Sequence, residues 1–267
     1  MARLPKILAL VILVAFCRCI PALAADRLDL RFEMFGFAGL HLLTNRTSTE
    51  ETPNSYAIAT NMGSRGIVSA FVDVRLHSEV YGTIAADKPH PDAYRSEMSR
   101  NGVTRDFGVN YSADGNVTNV VAQPASEGSY LDGVSLRGRV DQLTAYYLVE
   151  RQLNRGGTCD LAVPVFDGSE LYTLRFTSLG GETTLAADKY QNFTGPVHLC
   201  EVTRDVTVAN PNKLMGTYHT GRLWYAPLLP GGKVVAVRAE YDSVVGAIDG
   251  YLGELNAPGV HLKFMDE

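Results

Sequence analysis

Apolar and polar residues alternate along most of the chain, the period-two signature of strands with one buried face. Leu28-Asp29-Leu30-Arg31-Phe32-Glu33-Met34 alternates strictly, and Leu40–Thr49 and Tyr56–Thr60 continue the pattern. Within Ile67–Ile84 the first part reads as a short helix or a strand, and Val74–Gly82 reads as a strand. Lys88-Pro89-His90-Pro91 reads as a turn, since two prolines do not suit a sheet interior. Ala93–Asn101 and Val103–Ser112 form an expected hairpin about Asn101-Gly102, a dipeptide suited to a tight primed turn. A turn at 113–116, a strand over Val117–Ala122 and a polar loop over Pro124–Gly138 follow.

One segment changes period. Leu143, Tyr146, Tyr147, Val149 and Leu153 fall on one broad side of a helix. Asp141 is placed to cap its free amides, and Gly156-Gly157 to end it. Strands then resume at Leu161–Phe166, Leu171–Thr177, Val197–Val208, Arg222–Tyr225, Lys233–Tyr241 and Tyr251–Leu255. Turns are expected at Asp167-Gly168 and Pro230-Gly231-Gly232, and residues 256–267 read as a short tail. Many short strands with one marked helix predict a mainly β (β-rich α+β) chain. Its curved antiparallel sheet packs around one principal helix at about 141–155. No linker or repeat divides the chain, so one domain is expected.

The N-terminus stands apart from this pattern. Arg3 and Lys6 precede the apolar run Ile7–Phe16, and Ala22-Leu23-Ala24 offers a small-residue cleavage site. Residues 1–24 therefore read as a secretory signal peptide, too short in its apolar part to span a bilayer. A lipid-modified cysteine is disfavoured, because Phe16 precedes Cys17 and Arg18 precedes Cys19. Of 267 residues, removal of 24 leaves 243. The removed segment carries three basic residues and no acid, so the net charge of -5 becomes -8. That sign disfavours nucleic acid and leaves any lipid contact to apolar groups. The composition, 46% hydrophobic and 20% charged, excludes a disordered or fibrous chain. Two cysteines remain, Cys159 and Cys200, and an oxidising compartment makes them a disulfide.

The search for chemistry returns little. No nucleophile elbow, phosphate loop or metal-ligand spacing occurs among the motifs that carry such chemistry, and no cofactor is expected. His90 near Asp92 reads as a solvated turn rather than a metal site, and His198 as a neighbour of the disulfide on its sheet face. Asp167, after the buried-looking Phe166, reads first as an Asp-Gly turn capping backbone amides. Its alternative is a general acid or base, which needs a titratable partner that the sequence does not identify. Trp224 and Tyr225 either line a ligand groove or pack in the core.

From Asp141 onward the chain resembles a bacterial family, domain of unknown function 3108. The resemblance lies in the helix Asp141–Tyr147, Cys159, the motif Pro164-Val165-Phe166-Asp167-Gly168, the strand Leu171–Phe176, Cys200 and Arg222–Pro227. Leu28–Gly39 and the hairpins after it fit more loosely. Gln142 departs from the pattern, standing where a proline is expected. The resemblance implies an exported, periplasmic envelope protein of a proteobacterium with no assigned catalytic residues. By fold analogy it also implies a half-barrel or spiral-like sheet around the helix, as in periplasmic lipoprotein carriers. The sequons at Asn45, Asn110, Asn116 and Asn192 carry little weight in a bacterium. The leading expectation is a non-catalytic protein that holds a lipid, a lipoprotein or an envelope protein in an apolar groove. The alternatives are a scaffold with a packed interior and a hydrolase built on Asp167.

Overall fold

The computed structural model describes residues 25–36, 39–125, 131, 133–180, 183–211, 219–243 and 246–266. The expected signal peptide lies outside them. The first seven strands are β1 (Asp26–Phe35), β2 (His41–Glu51), β3 (Ser55–Ser64), β4 (Val74–Ala85), β5 (Lys88–Arg100), β6 (Val103–Tyr111) and β7 (Val117–Gln123). Helix α1 (Gln142–Leu153) follows. The remaining strands are β8 (Leu161–Phe166), β9 (Leu171–Ser178), β10 (Thr183–Leu185), β11 (Gly195–Val208), β12 (Thr220–Ala226), β13 (Val235–Ser243), β14 (Gly246–Ala257) and β15 (Val260–Lys263).

They make one large antiparallel sheet in the order β7-β6-β5-β4-β3-β2-β1-β14-β13-β12-β11-β9-β8, with β10 on β11 and β15 on β14. Strands β1 to β7 run as a meander. The chain's two halves are sewn together in the middle, where β1 pairs with β14. The sheet does not close on itself. Its two ends, β7 and β8, are consecutive strands, and α1 lies in the connection between them. The helix packs against β8 on one side and against β4 and β5 on the other. It therefore fills the gap that an unclosed, twisted sheet leaves.

Local chemistry sets the ends of the helix. Asp141 Oδ1 accepts from the Thr144 amide at 2.9 Å and Oδ2 from the Thr144 hydroxyl at 2.6 Å. At the other end Gly156, with φ 74°, donates to the Leu153 carbonyl. Ala145, Val149 and Leu153 enter a cluster with Val163, Leu174, Val202 and Tyr225. Tyr147 enters a second cluster with Tyr56, Val80, Tyr94, Val109 and Phe166, stacking on Tyr56 at 4.8 Å. Its hydroxyl donates to Glu51 at 2.6 Å, and Arg151 binds both Glu51 and Asp87. The disulfide Cys159–Cys200, with Cα atoms 5.8 Å apart, ties the helix exit to β11.

Two expected elements are corrected. The prolines of Lys88–Pro91 open β5 rather than form a turn. The turn lies just before them at Ala86-Asp87, where both residues have positive φ, 47° and 67°. Strand β6 pairs only with β5 from Ala93 onward, so Pro89 and Pro91 meet β4 alone and need no second ladder. The expected tail is also a strand pair: β14 runs to Ala257 and β15 folds back on it.

Burial pushes the Asp141 carboxyl up to about 6 and that of Glu150 up to about 7. The folded chain then holds these protons more tightly than the unfolded chain does. Stability contributed by the two groups is greatest below about pH 4 and falls as pH rises towards about 7. Asp141→Asn keeps an oxygen acceptor for Thr144 and removes the charge. Urea denaturation of this variant should show a flatter pH dependence than wild type between about pH 4 and pH 7. Parallel curves would refute the assignment.

Candidate functional site

Asp167 opens the β8–β9 turn. Its Oδ1 accepts from the amides of Ser169 at 2.9 Å and Glu170 at 2.8 Å, while Gly168 takes a φ of 86°. The turn docks across the gap on β6: a Cβ on Gly168 would stand 2.5 Å from that of Phe107. Arg204 reaches the turn from β11, two strands along from β8. It donates to Glu170 Oε2 at 2.8 Å and to Asp167 Oδ2 at 3.3 Å, and its guanidinium lies 3.4 Å over the Tyr172 ring. The Asn210 amide donates to the other Glu170 oxygen at 3.3 Å. Glu170 and Arg204 are buried. Asp167 therefore does have an acidic neighbour and a cation, neither of which local sequence spacing singles out. Their bonds run inward, to backbone amides and to each other, and join the β8–β9 turn to β11. Such an arrangement clamps two chain segments.

Phe166 is fully buried in the cluster around Tyr147. Trp224 and Tyr225 occupy opposite faces of β12. Tyr225 packs on the helix side, with Val149 and Cys200. Trp224 joins a third cluster with Phe193, Val235, Val237 and Leu252, and Arg238 lies 4.9 Å from its ring. They therefore do not line one groove. This third cluster sits where β13 and β14 part and β15 takes over as the neighbour of β14. Gln191 bridges the fork, donating to the carbonyls of Val237 at 2.7 Å and Leu252 at 3.1 Å. His198 is exposed, although it shares strand parity with the buried Cys200. His90 and Asp92 lie in β5, and no group of three metal-ligating side chains occurs among the described residues.

A second polar cluster escapes the sequence reading. Arg31 and Glu33 sit at the polar positions of β1, where alternation predicts solvent, yet both are buried. Glu33 binds Arg31 and accepts from Thr44 at 2.6 Å, and His41 Nε2 lies 2.8 Å from it. Arg31 donates to the Met265 carbonyl at 2.8 Å. The cover comes from Tyr190, which stacks on Phe35 at 4.4 Å, and from the C-terminal residues. Only Phe35 and His41, close in sequence, leave a trace of this in the chain.

A family model described as "Protein of unknown function (DUF3108)" matches residues 31–252. The chain belongs to that family. No curated protein matches it. Among solved structures it is similar to a β-barrel-like protein of domain of unknown function DUF1849 from Brucella abortus. The two are 11% identical, over 88% of this chain and 98% of that one, with a TM-score of 0.49. In this DUF3108 member, α1 contributes to both inner clusters, one holding Val165 and both bridging cysteines and the other holding Phe166. The matched region thus spans the helix, its clamp and the seam between the two halves of the sheet.

Proposed function

We propose that this protein is a non-catalytic component of the periplasmic envelope that holds a partner, lipid or protein, on its surface. The observation that carries the reading is the filled concavity. Helix α1 and two side-chain clusters occupy the space inside the sheet. A sheet that curves around its own helix has spent its apolar face on folding, so binding falls to the outer surface and rims. The acids most suited to chemistry support the same reading. Asp167 caps its own turn, and Glu170 and Glu33 are engaged by Arg204 and Arg31. A basic then apolar N-terminal segment, followed by two cysteines in one bridge, supports export.

Periplasmic protein purified without detergent tests this by intact and native mass spectrometry. The expected mass is that of residues 25–267 less two hydrogens, with no retained small molecule. A lipid-sized adduct lost only on unfolding would overturn the filled-interior reading. A full-length, reduced chain in the cytoplasm would overturn the export reading.

A further inference from the structure

One rim of the sheet carries a feature that neither the packing nor the clamp explains. The β3–β4 connection forms a short 3-10 helix over Gly66–Ala70, none of whose residues is buried. Ile67 is 67% exposed and Phe71 is 77% exposed. On the same rim, Leu40 before β2 and Val103 at the β5–β6 turn are also exposed, at 45% and 52%. These side chains are displayed on a tied-down backbone. The amides of Phe71 and Val72 bond the Val68 carbonyl. The Ser69 hydroxyl bonds the Gly66 carbonyl. Asp73 and Asn101 exchange two hydrogen bonds, at 2.8 and 2.9 Å, which lash the connection to the neighbouring hairpin. An aromatic and an aliphatic residue held out in water cost solvation free energy unless something covers them.

The surrounding charge identifies the cover. Among the described residues at the β3–β4 connection and the β5–β6 turn, Arg65, Arg75 and Arg100 flank the apolar tips with one acid, Asp73. Asp73 pairs with Arg75 at 3.2 Å, and Arg65 Nε donates to the Thr44 hydroxyl at 3.2 Å. This rim locally reverses the overall charge, -5 for the full chain and more negative once the basic N-terminal segment is removed, which by itself disfavours electrostatic contact with lipid. The tips project from separate connections at the end of a sheet, not from a flat face or a groove. Apolar tips ringed by guanidiniums match a bilayer surface, where side chains enter the acyl boundary and arginines meet anionic headgroups. We infer that the rim formed by Ile67, Phe71, Leu40 and Val103, with Arg65, Arg75 and Arg100, docks on an anionic phospholipid bilayer. No helix among the described residues is long and apolar enough to cross a membrane, and the contact needs none. The inference deepens the proposed function by naming a lipid surface as partner, and rests on that reading only for its setting.

Vesicle co-sedimentation of the purified mature chain tests it. Wild type should bind phosphatidylethanolamine–phosphatidylglycerol vesicles and bind phosphatidylcholine vesicles more weakly. The double variant Ile67→Ser/Phe71→Ser should lose at least about ten-fold in affinity, since each buried side chain of this size contributes that much. Arg75→Gln/Arg100→Gln should abolish the preference for anionic lipid while keeping residual binding. Leu179→Ser, an exposed apolar residue at the opposite rim, should change nothing. These positions are exposed, so unchanged melting temperatures show that the variants fold. In Phe71→Trp, brominated acyl chains should quench the new tryptophan but not the buried Trp224. Wild type that ignores anionic vesicles, or binding that survives Ile67→Ser/Phe71→Ser, overturns the inference. Either failure leaves the mass-spectrometric results on export and the filled interior standing, so the two readings fail separately.

Discussion

Arg204→Met is expected to cost about 3–5 kcal/mol of folding stability, the usual consequence of removing one member of a buried ion pair. The variant strips Glu170 of a guanidinium at 2.8 Å and Asp167 of one at 3.3 Å, in a site where Glu170 and Arg204 are both buried. It also removes the cation stacked 3.4 Å from the Tyr172 ring. A carboxylate left in that setting keeps its desolvation cost without the attraction that offset it. For a chain of this size the loss corresponds to a fall in melting temperature on the order of 10 °C. The companion variant Arg204→Met/Glu170→Gln removes both charges. It should recover part of the loss, because the stranded charge is the larger share of the penalty. Urea denaturation of the two variants and wild type checks this. A double variant no more stable than the single would show that packing around Tyr172, not charge, governs the site.

Cys159→Ala/Cys200→Ala should lower stability by a similar amount, about 4 kcal/mol in the loop-entropy account. The bridge closes a loop of 41 positions, and both cysteines are at most 1% exposed. The effect acts mainly on the unfolded chain, which regains the freedom the bridge denied it. It also has a location. The bridge fastens the end of α1 to β11, and α1 is what spans the gap between β7 and β8. Loosening it should therefore expose amides of α1 and β8 to hydrogen exchange before those of β1 and β14, which are paired on both sides. Wild type held with reductant until melted should fall to the same midpoint as the variant. An unchanged midpoint would mean that the bridge contributes nothing.

Much of the secondary structure is legible locally. The strict alternation of Leu28–Met34 becomes β1, Asn101-Gly102 makes its hairpin with φ of 51° and 81°, and Asp141 caps α1. The failures also have local causes. Proline reads as a strand breaker because a central strand needs both ladders, and only the register of β6 shows that Pro89 and Pro91 need one. The C-terminal residues look like a tail because Val260–Lys263 is short, and its partner at Glu254–Ala257 gives no sign of pairing backwards.

Candidate chemistry is less legible, because it depends on contacts between distant segments. Asp167 and Arg204 are 37 residues apart, and Arg31 and Met265 are 234 apart. Alternation marks Arg31 and Glu33 as one face of a strand, but not that Tyr190 and the C-terminus would cover it. It marks Trp224 and Tyr225 as neighbours, and the pleat places them on opposite faces.

The sequence by itself determined the family, the all-antiparallel β character, the single helix with its cap, and the Cys159–Cys200 pair. The family resemblance rests on the motifs from Asp141 onward, and the other three follow from short-range periodicity and from counting. The tertiary structure decided that the sheet stays open, that α1 fills its gap, that acids and arginines form inward clamps, and that Ile67 and Phe71 stand on a basic rim. The physical reason is that local pattern fixes which side of an element is apolar, whereas sheet curvature and strand order fix what that side meets. Burial energy depends on the second as much as on the first.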